Sequence, residues 1–203
     1  MREAAGAYIV LEELQERASA IIAEATGAEA GYVSSCSSAA MTIAAAACIA
    51  GTDPVAISRL PDSSGLKNEF LIHRSHRIGY DQAYRVGGAK LVEFGLPYKT
   101  AAWEMEAAIT DKTAAAVYHD TPNVGPGALP FAEFVEIAHR HHLPVIVDSA
   151  SMLPPVDHLR RWIRQGADLV IYSGGKGIRG PQDSGLLAGR SDLIAAAVND
   201  QIS

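Results

Sequence analysis

The residues able to do chemistry in this chain gather in short polar runs, each placed just after an apolar segment. They are Ser35-Cys-Ser-Ser38, His73-Arg-Ser-His76, Asp120-Thr-Pro-Asn123, Asp148-Ser-Ala150 and Ser173-Gly-Gly-Lys176. Lys176 belongs to Ser173-Gly-Gly-Lys-Gly-Ile-Arg-Gly180, where glycines let the backbone approach a ligand closely. Shielded from water, its amine is a nucleophile for a carbonyl carbon; in a surface turn it is only a solvated charge. The loop is not of the GxxxxGK[ST] type, because Gly177 follows the lysine and the loop's first glycine is missing. Asp148 closes the apolar run Pro144-Val-Ile-Val-Asp148. A carboxylate buried there needs a cationic or strongly donating partner, or else it caps a helix or pairs with a neighbouring loop. Ser35-Cys-Ser-Ser38 opens a helix, where N–H groups and hydroxyls either cradle an anion or serve as plain caps. His139, His141 and His142 flank Arg140 on a polar helix face with no carboxylate at ligand spacing, so they read as a solvated cluster and no metal site is expected. Cys36 reads as a loop thiol and Cys48 as a helix-packing residue.

The elements that must position these groups alternate. Residues 8–25 form an amphipathic helix with Leu11, Leu14, Ala18, Ile21, Ile22 and Ala25 on one stripe. Strand 31–34 and a helix through 41–50 follow, ended by Gly51-Thr-Asp-Pro54, and residues 57–65 are turn-rich. Strands are then expected at 69–73, 90–94, 114–119, 144–148, 167–172 and 184–189. Helices are expected near 80–86 and at 101–110, 130–142, 156–165 and 192–200. Such alternation specifies an α/β layer fold with a mostly parallel sheet, in one domain. In such a sheet ligands bind beyond the carboxyl ends of the strands, and all of the polar runs should meet on that rim.

The chain has 203 residues, 48% hydrophobic and 20% charged, enough to bury a sizeable core. Its net charge of -6 disfavours nucleic acid and anionic membranes as partners. Two cysteines give no disulfide framework and fit a reducing cytoplasm. The most apolar stretch, residues 39–50, is too short to span a bilayer, and the start lacks the layout of a signal peptide.

An anion cradle, Asn123, a buried Asp148 and a Ser-x-x-Lys would together suit a ligand with a phosphate, a ring hydroxyl, a ring nitrogen and an aldehyde. On Val145-Ile-Val-Asp-Ser-Ala150, and more specifically on Gly166-Ala-Asp-Leu-Val-Ile-Tyr-Ser-Gly-Gly-Lys-Gly-Ile-Arg-Gly-Pro-Gln-Asp-Ser-Gly185, the chain resembles the fold-type I pyridoxal-phosphate (PLP) enzymes, and among them the selenocysteine synthase-like family. The resemblance implies a three-layer PLP-transferase large domain over residues 1–203, with the family's N-terminal segment and small C-terminal domain absent. It implies that Lys176 bonds the cofactor and later shuttles the substrate α-proton. Asp148 would pair with the pyridine nitrogen, Ala150 lie against one ring face and His76 against the other. Asn123 would bind the ring hydroxyl, and Ser35, Cys36 and Ser37, helped by Ser173, the phosphate. Gln182 would reach the phosphate of a partner subunit in a homo-oligomer. Arg74, Arg77 and Tyr80 would bind an anionic substrate. The family's synthases place an acidic residue where this chain has Gly175, and residues 73–81 look more like the sugar-acid branch, such as D-glucosaminate-6-phosphate ammonia-lyase. The acidic balance points the same way, against tRNA. The expected activity is therefore a PLP-dependent lyase acting by Cα deprotonation and β-elimination with ammonia release. The alternatives are a seryl-tRNA transferase, other aminotransferase-like chemistry, or a cofactor-binding fragment without turnover.

Overall fold

Parallel strands covered on both faces must be apolar along their whole length, and the runs listed above become strands for that reason. The computed structural model describes residues 6–120 and 127–199. In chain order the elements are α1 (Leu11–Thr26), β1 (Ala30–Ser34), α2 (Ser37–Ala50), α3 (Pro54–Arg59), β2 (Glu69–His73), α4 (Gln82–Val86), β3 (Lys90–Phe94) and α5 (Ala102–Ala108). They continue with β4 (Thr113–His119), α6 (Phe131–Arg140), β5 (Val145–Asp148), α7 (His158–Arg164), β6 (Leu169–Ser173), β7 (Gly185–Gly189) and α8 (Ser191–Asn199). The strands form a seven-stranded sheet in the order β1-β7-β6-β5-β4-β2-β3. β2 to β6 pair in parallel, while β7 is antiparallel to both of its neighbours. Two antiparallel steps restore direction, so β1 ends on the same edge as β6, and Gly185 of β7 pairs with Ser34 on one side and Ser173 on the other.

Successive strand residues alternate between two cores. Phe70, Ile72, Val117, Ile146, Leu169 and Ile171 pack towards α2, α4 and α8. Leu71, Ala116, Val145, Val147, Val170 and Tyr172 pack towards α5, α6 and α7. This gives three layers, with each fully buried large side chain stabilising the fold by about 1.5–3 kcal/mol. Helix α2 is buried nearly all round, from Ala40 to Ala50, because the sheet lies under it and α4 and α8 beside it.

Several expectations need correction. The helix stop after Ala50 holds, but a further short helix, residues 54–59, begins at once and runs into the stretch expected to be turn-rich, because Asp53 Oδ1 accepts the Val55 N–H at 2.9 Å and Pro54 occupies the first turn. The stripe on α1 is only partly a core face: Ile22 is buried, but Leu11, Leu14 and Ile21 are exposed. Cys36 is the cap of α2, its Sγ accepting the Ala39 N–H at 3.3 Å. His139, His141 and His142 are all exposed, but His139 is also paired, its Nε2 lying 2.8 Å from Asp168 Oδ2; no metal-holding cluster occurs among the described residues.

Candidate active site

The carboxyl ends of β4, β5 and β6 place His119, Asp148 and Ser173 on one rim, with His119 and Asp148 in direct register. Asp148 is 4% exposed. Its Oδ1 accepts the Ala150 N–H at 3.1 Å and its Oδ2 lies 3.3 Å from His119 Nδ1. Among the described residues no arginine or lysine side chain pairs with it. Burial pulls the His119 pKa below the ordinary histidine value, and the charge of Lys176 pushes the same way, against Asp148, Asp120 and Asp81. The His119 backbone N–H donates to His76 Nδ1 at 3.2 Å.

His76 ends a 3-10 turn over Arg74–His76 and is wholly buried, edge-on to Tyr118 at 4.5 Å between ring centroids. Its Nε2 finds no partner among the described residues. Burial, with lesser contributions from His73 and His119, lowers its pKa to about 3. The hydroxyl of Tyr84, also buried and without a partner among the described residues, is pushed well above the usual tyrosine range by burial, with Asp148, Cys48 and Asp81 adding to it.

Lys176 extends from the loop after β6 and is exposed, so the shielding required of a nucleophilic amine is not provided by these residues alone. That loop folds on itself. Gly174 N–H donates to Ser184 O at 2.9 Å, Gly180 N–H to Gly174 O at 2.8 Å, and Arg179 holds a left-handed φ of 59°. It also packs on its neighbours: a Cβ on Gly177 would lie 2.2 Å from Leu153 O, in the loop after β5. Gly185 brings the same loop against the start of α2, where a Cβ would lie 2.3 Å from the Cys36 carbonyl. The N–H groups of Ser37 and Ser38 begin that helix without intrahelical acceptors.

The remaining expected residues are distributed as follows. Ser35 is exposed at the same helix start, Ala150 and Ser173 are half-buried on the rim, and Gln182 is exposed, its backbone lying against Gly175. Asn123 lies outside the described residues. Arg74 Nε donates to Glu93 Oε2 at 3.2 Å, while Arg77 pairs with Glu93 and, at 2.5 Å, with Asp81, so both arginines already have acidic partners. Tyr80 is exposed. The sequence reading overlooked His119, although it ends an apolar strand just as Asp148 does. It named Asp120 in a polar run but gave it no role; its carboxylate accepts hydrogen bonds from Ser149 Oγ at 3.0 Å and Trp162 Nε1 at 2.8 Å and so ties the loop after β4 to the loop after β5 and to α7.

A mostly parallel sheet with one reversed strand next to its edge, and a lysine loop between β6 and β7, defines the large-domain fold of the fold-type I PLP enzymes. Thermus thermophilus aspartate aminotransferase shares that fold at 19% identity, with a TM-score of 0.62 over 94% of this chain and 50% of that one. A solved D-glucosaminate-6-phosphate ammonia-lyase superposes with a TM-score of 0.93 at 38% identity, covering 98% of this chain and 54% of that one. The family model described as "SelA: L-seryl-tRNA selenium transferase" matches residues 12–203, and the chain belongs to this family. Among curated relatives, the D-glucosaminate-6-phosphate ammonia lyase of Salmonella typhimurium is 40% identical over 95% of this chain and 52% of its own length. The 5'-C-glycyluridine monooxygenase-decarboxylase of a Streptomyces species is also 40% identical, over 97% of this chain and 50% of its own length. The chain thus spans about half the length of these relatives.

Proposed function

We propose that residues 1–203 are the cofactor-binding large domain of a PLP-dependent lyase that releases ammonia from an anionic amino acid or amino sugar acid. One observation carries this reading. Asp148 is buried on the rim that bears Lys176, and among the described residues it has an imidazole and a backbone N–H as partners but no cationic side chain. A buried carboxylate so placed suits the positive ring nitrogen of a bound pyridine. The other donors suit the same group. The N–H groups of Ser37 and Ser38 open a helix where a phosphate is favoured, with Ser35, Cys36 and Ser173 beside them. The Nε2 of His76 is a buried polar atom awaiting a partner. The 40% identity to an ammonia lyase for a phosphorylated amino sugar acid supports the reaction class.

When bound, PLP supplies a sink for the electrons left at the substrate α-carbon. Asp148 stabilises positive charge on the ring nitrogen. Lys176 Nζ takes the α-proton and passes it to the hydroxyl departing from the β-carbon; hydrolysis of the resulting enamine yields a 2-oxo acid and ammonia. Around the bound cofactor, Ala150 would leave one ring face uncrowded, His76 would border the other, and Asn123 would bind the ring hydroxyl. Arg74, Arg77 and Tyr80 receive the substrate anion, the arginines exchanging Glu93 and Asp81 for it. We assign Gln182 to the phosphate bound by a partner subunit in a homo-oligomer. We place the protein in the cytoplasm; a sequence with two cysteines and no disulfide framework fits a reducing compartment. No helix among the described residues is long and apolar enough to cross a membrane.

A second reading follows from the equal identity to a monooxygenase-decarboxylase: consumption of oxygen and release of carbon dioxide from an amino-acid-bearing nucleoside. The test begins with an absorbance spectrum of the chain incubated with PLP, beside Lys176→Ala. A visible band fixed by borohydride in the wild type and absent from the variant is expected. Phosphorylated amino sugar acids should then release ammonia. Oxygen uptake with glycyl nucleosides selects the second reading, transfer to seryl-tRNA the family's synthase chemistry, and cofactor uptake without any turnover a binding domain alone. A folded wild type with no band overturns the proposal.

A further inference from the structure

We infer that His119 is a positioning residue for the cofactor: its Nδ1, 3.3 Å from Asp148 Oδ2, holds that carboxylate aimed at the ring nitrogen. The inference rests on the reading that Asp148 meets a pyridine nitrogen. The two residues end adjacent parallel strands at paired positions, so the pleat sends both side chains to the same face. Asp148 Oδ1 accepts the Ala150 N–H, while Oδ2 lies against the imidazole Nδ1 at 3.3 Å, so each oxygen faces a polar nitrogen. His119 is itself held: it is 9% exposed, and its backbone N–H is spent on His76 Nδ1.

The charge state matters as much as the place. The titratable and charged groups acting on His119 are Asp148 on β5, Asp120 after β4, Asp81 before α4 and Lys176 after β6, with His76 adjacent. Burial outweighs the three carboxylates and keeps the ring neutral at pH 7. A neutral imidazole facing a carboxylate presents Nδ1–H as a donor. It therefore orients Asp148 without adding a positive charge, and the carboxylate keeps its full attraction for the ring nitrogen. An arginine or lysine in the same place would orient it equally well but neutralise it.

The test titrates the visible PLP band of the full chain and compares dissociation constants, with the thermal midpoint of each cofactor-free variant as the folding control. His119→Leu is expected to weaken PLP binding about tenfold, because an apolar side chain leaves Oδ2 of the buried carboxylate facing no polar group. His119→Asn, whose amide nitrogen can stand where Nδ1 stands, should stay within about threefold. In an Asp148→Asn background the leucine change should add less than about twofold, because its effect runs through Asp148. If His119→Leu does not fold, His119→Gln, whose donor lies one carbon further out, takes its place in the comparison with asparagine. Wild-type affinity in the leucine or glutamine variant, or an undiminished loss on top of Asp148→Asn, overturns the assignment while leaving the proposed function intact. A wild type that shows no band overturns both.

Discussion

His76 is wholly buried and His119 nearly so, and that sets the acid sensitivity of the fold. His76 accepts the His119 N–H on Nδ1, so its proton is on Nε2 and the ring is neutral. Its pKa in the fold is about 3, lowered first by burial, against 6.5 for an ordinary histidine. Between those values the unfolded chain binds a proton that the folded chain does not. The stability tied to His76 is therefore complete above pH 6.5 and declines as pH falls, by up to about 1.4 kcal/mol per unit. His119 is shifted in the same direction and adds to the slope. Urea unfolding at pH 7 and pH 5 should show a clear drop in midpoint for the wild type and a shallower one for His76→Gln, which keeps a side-chain acceptor. Equal drops in the two proteins would show that this imidazole does not govern the acid limb.

At the level of elements, the site depends on how closely the lysine loop can approach the start of α2. Gly185 makes that approach: a Cβ would meet the carbonyl carbon and oxygen of Cys36 at 2.3 Å and Ser37 N at 2.6 Å, all backbone. Gly185→Ala should cost about 2 kcal/mol, read as a fall of about 5 °C in thermal midpoint, and should also weaken phosphate capture by tilting α2. Gly79→Ala, with nothing within 4 Å of its Cβ, is the control and should be neutral. An unshifted midpoint for the Gly185 variant would mean the helix start can yield. Much of this framework was legible in the sequence, since strands buried on both faces must be apolar; β5 runs through the apolar Val145-Ile-Val147 and ends at Asp148, as the pattern indicated. What escaped was nonlocal. His119 matters because of its register with Asp148, 29 positions away, and Arg74 and Arg77 are occupied because β3 brings Glu93 beside β2. Helix α3 escaped for a local reason, its Asp53-Pro54 start having the same residues as a helix stop.

Among the described residues, α1 leaves an apolar face uncovered. On α1, Leu11, Leu14 and Ile21 are exposed and Ala18 is half-buried, spaced three, four and three residues apart, which is the seam of a two-helix coiled coil. The spacing is also symmetric. In an antiparallel pair of α1 helices Leu11 meets Ile21 and Leu14 meets Ala18, so one copy of the chain offers what a second copy needs. Net charge of -6 opposes association, so the contact must come from apolar burial and should persist, or strengthen, as salt screens the repulsion. The chain is expected to sediment as a dimer at tens of micromolar in both low and high salt, and Leu14→Glu, which buries an unpaired carboxylate from each copy in the seam, should return it to a monomer. A monodisperse wild-type monomer would refute the pairing. The same pair of proteins also tests the assignment of Gln182. If the phosphate site is completed across subunits, the Leu14→Glu monomer should bind PLP more weakly although every residue of the rim is intact. If it is completed within one chain, affinity should be unchanged.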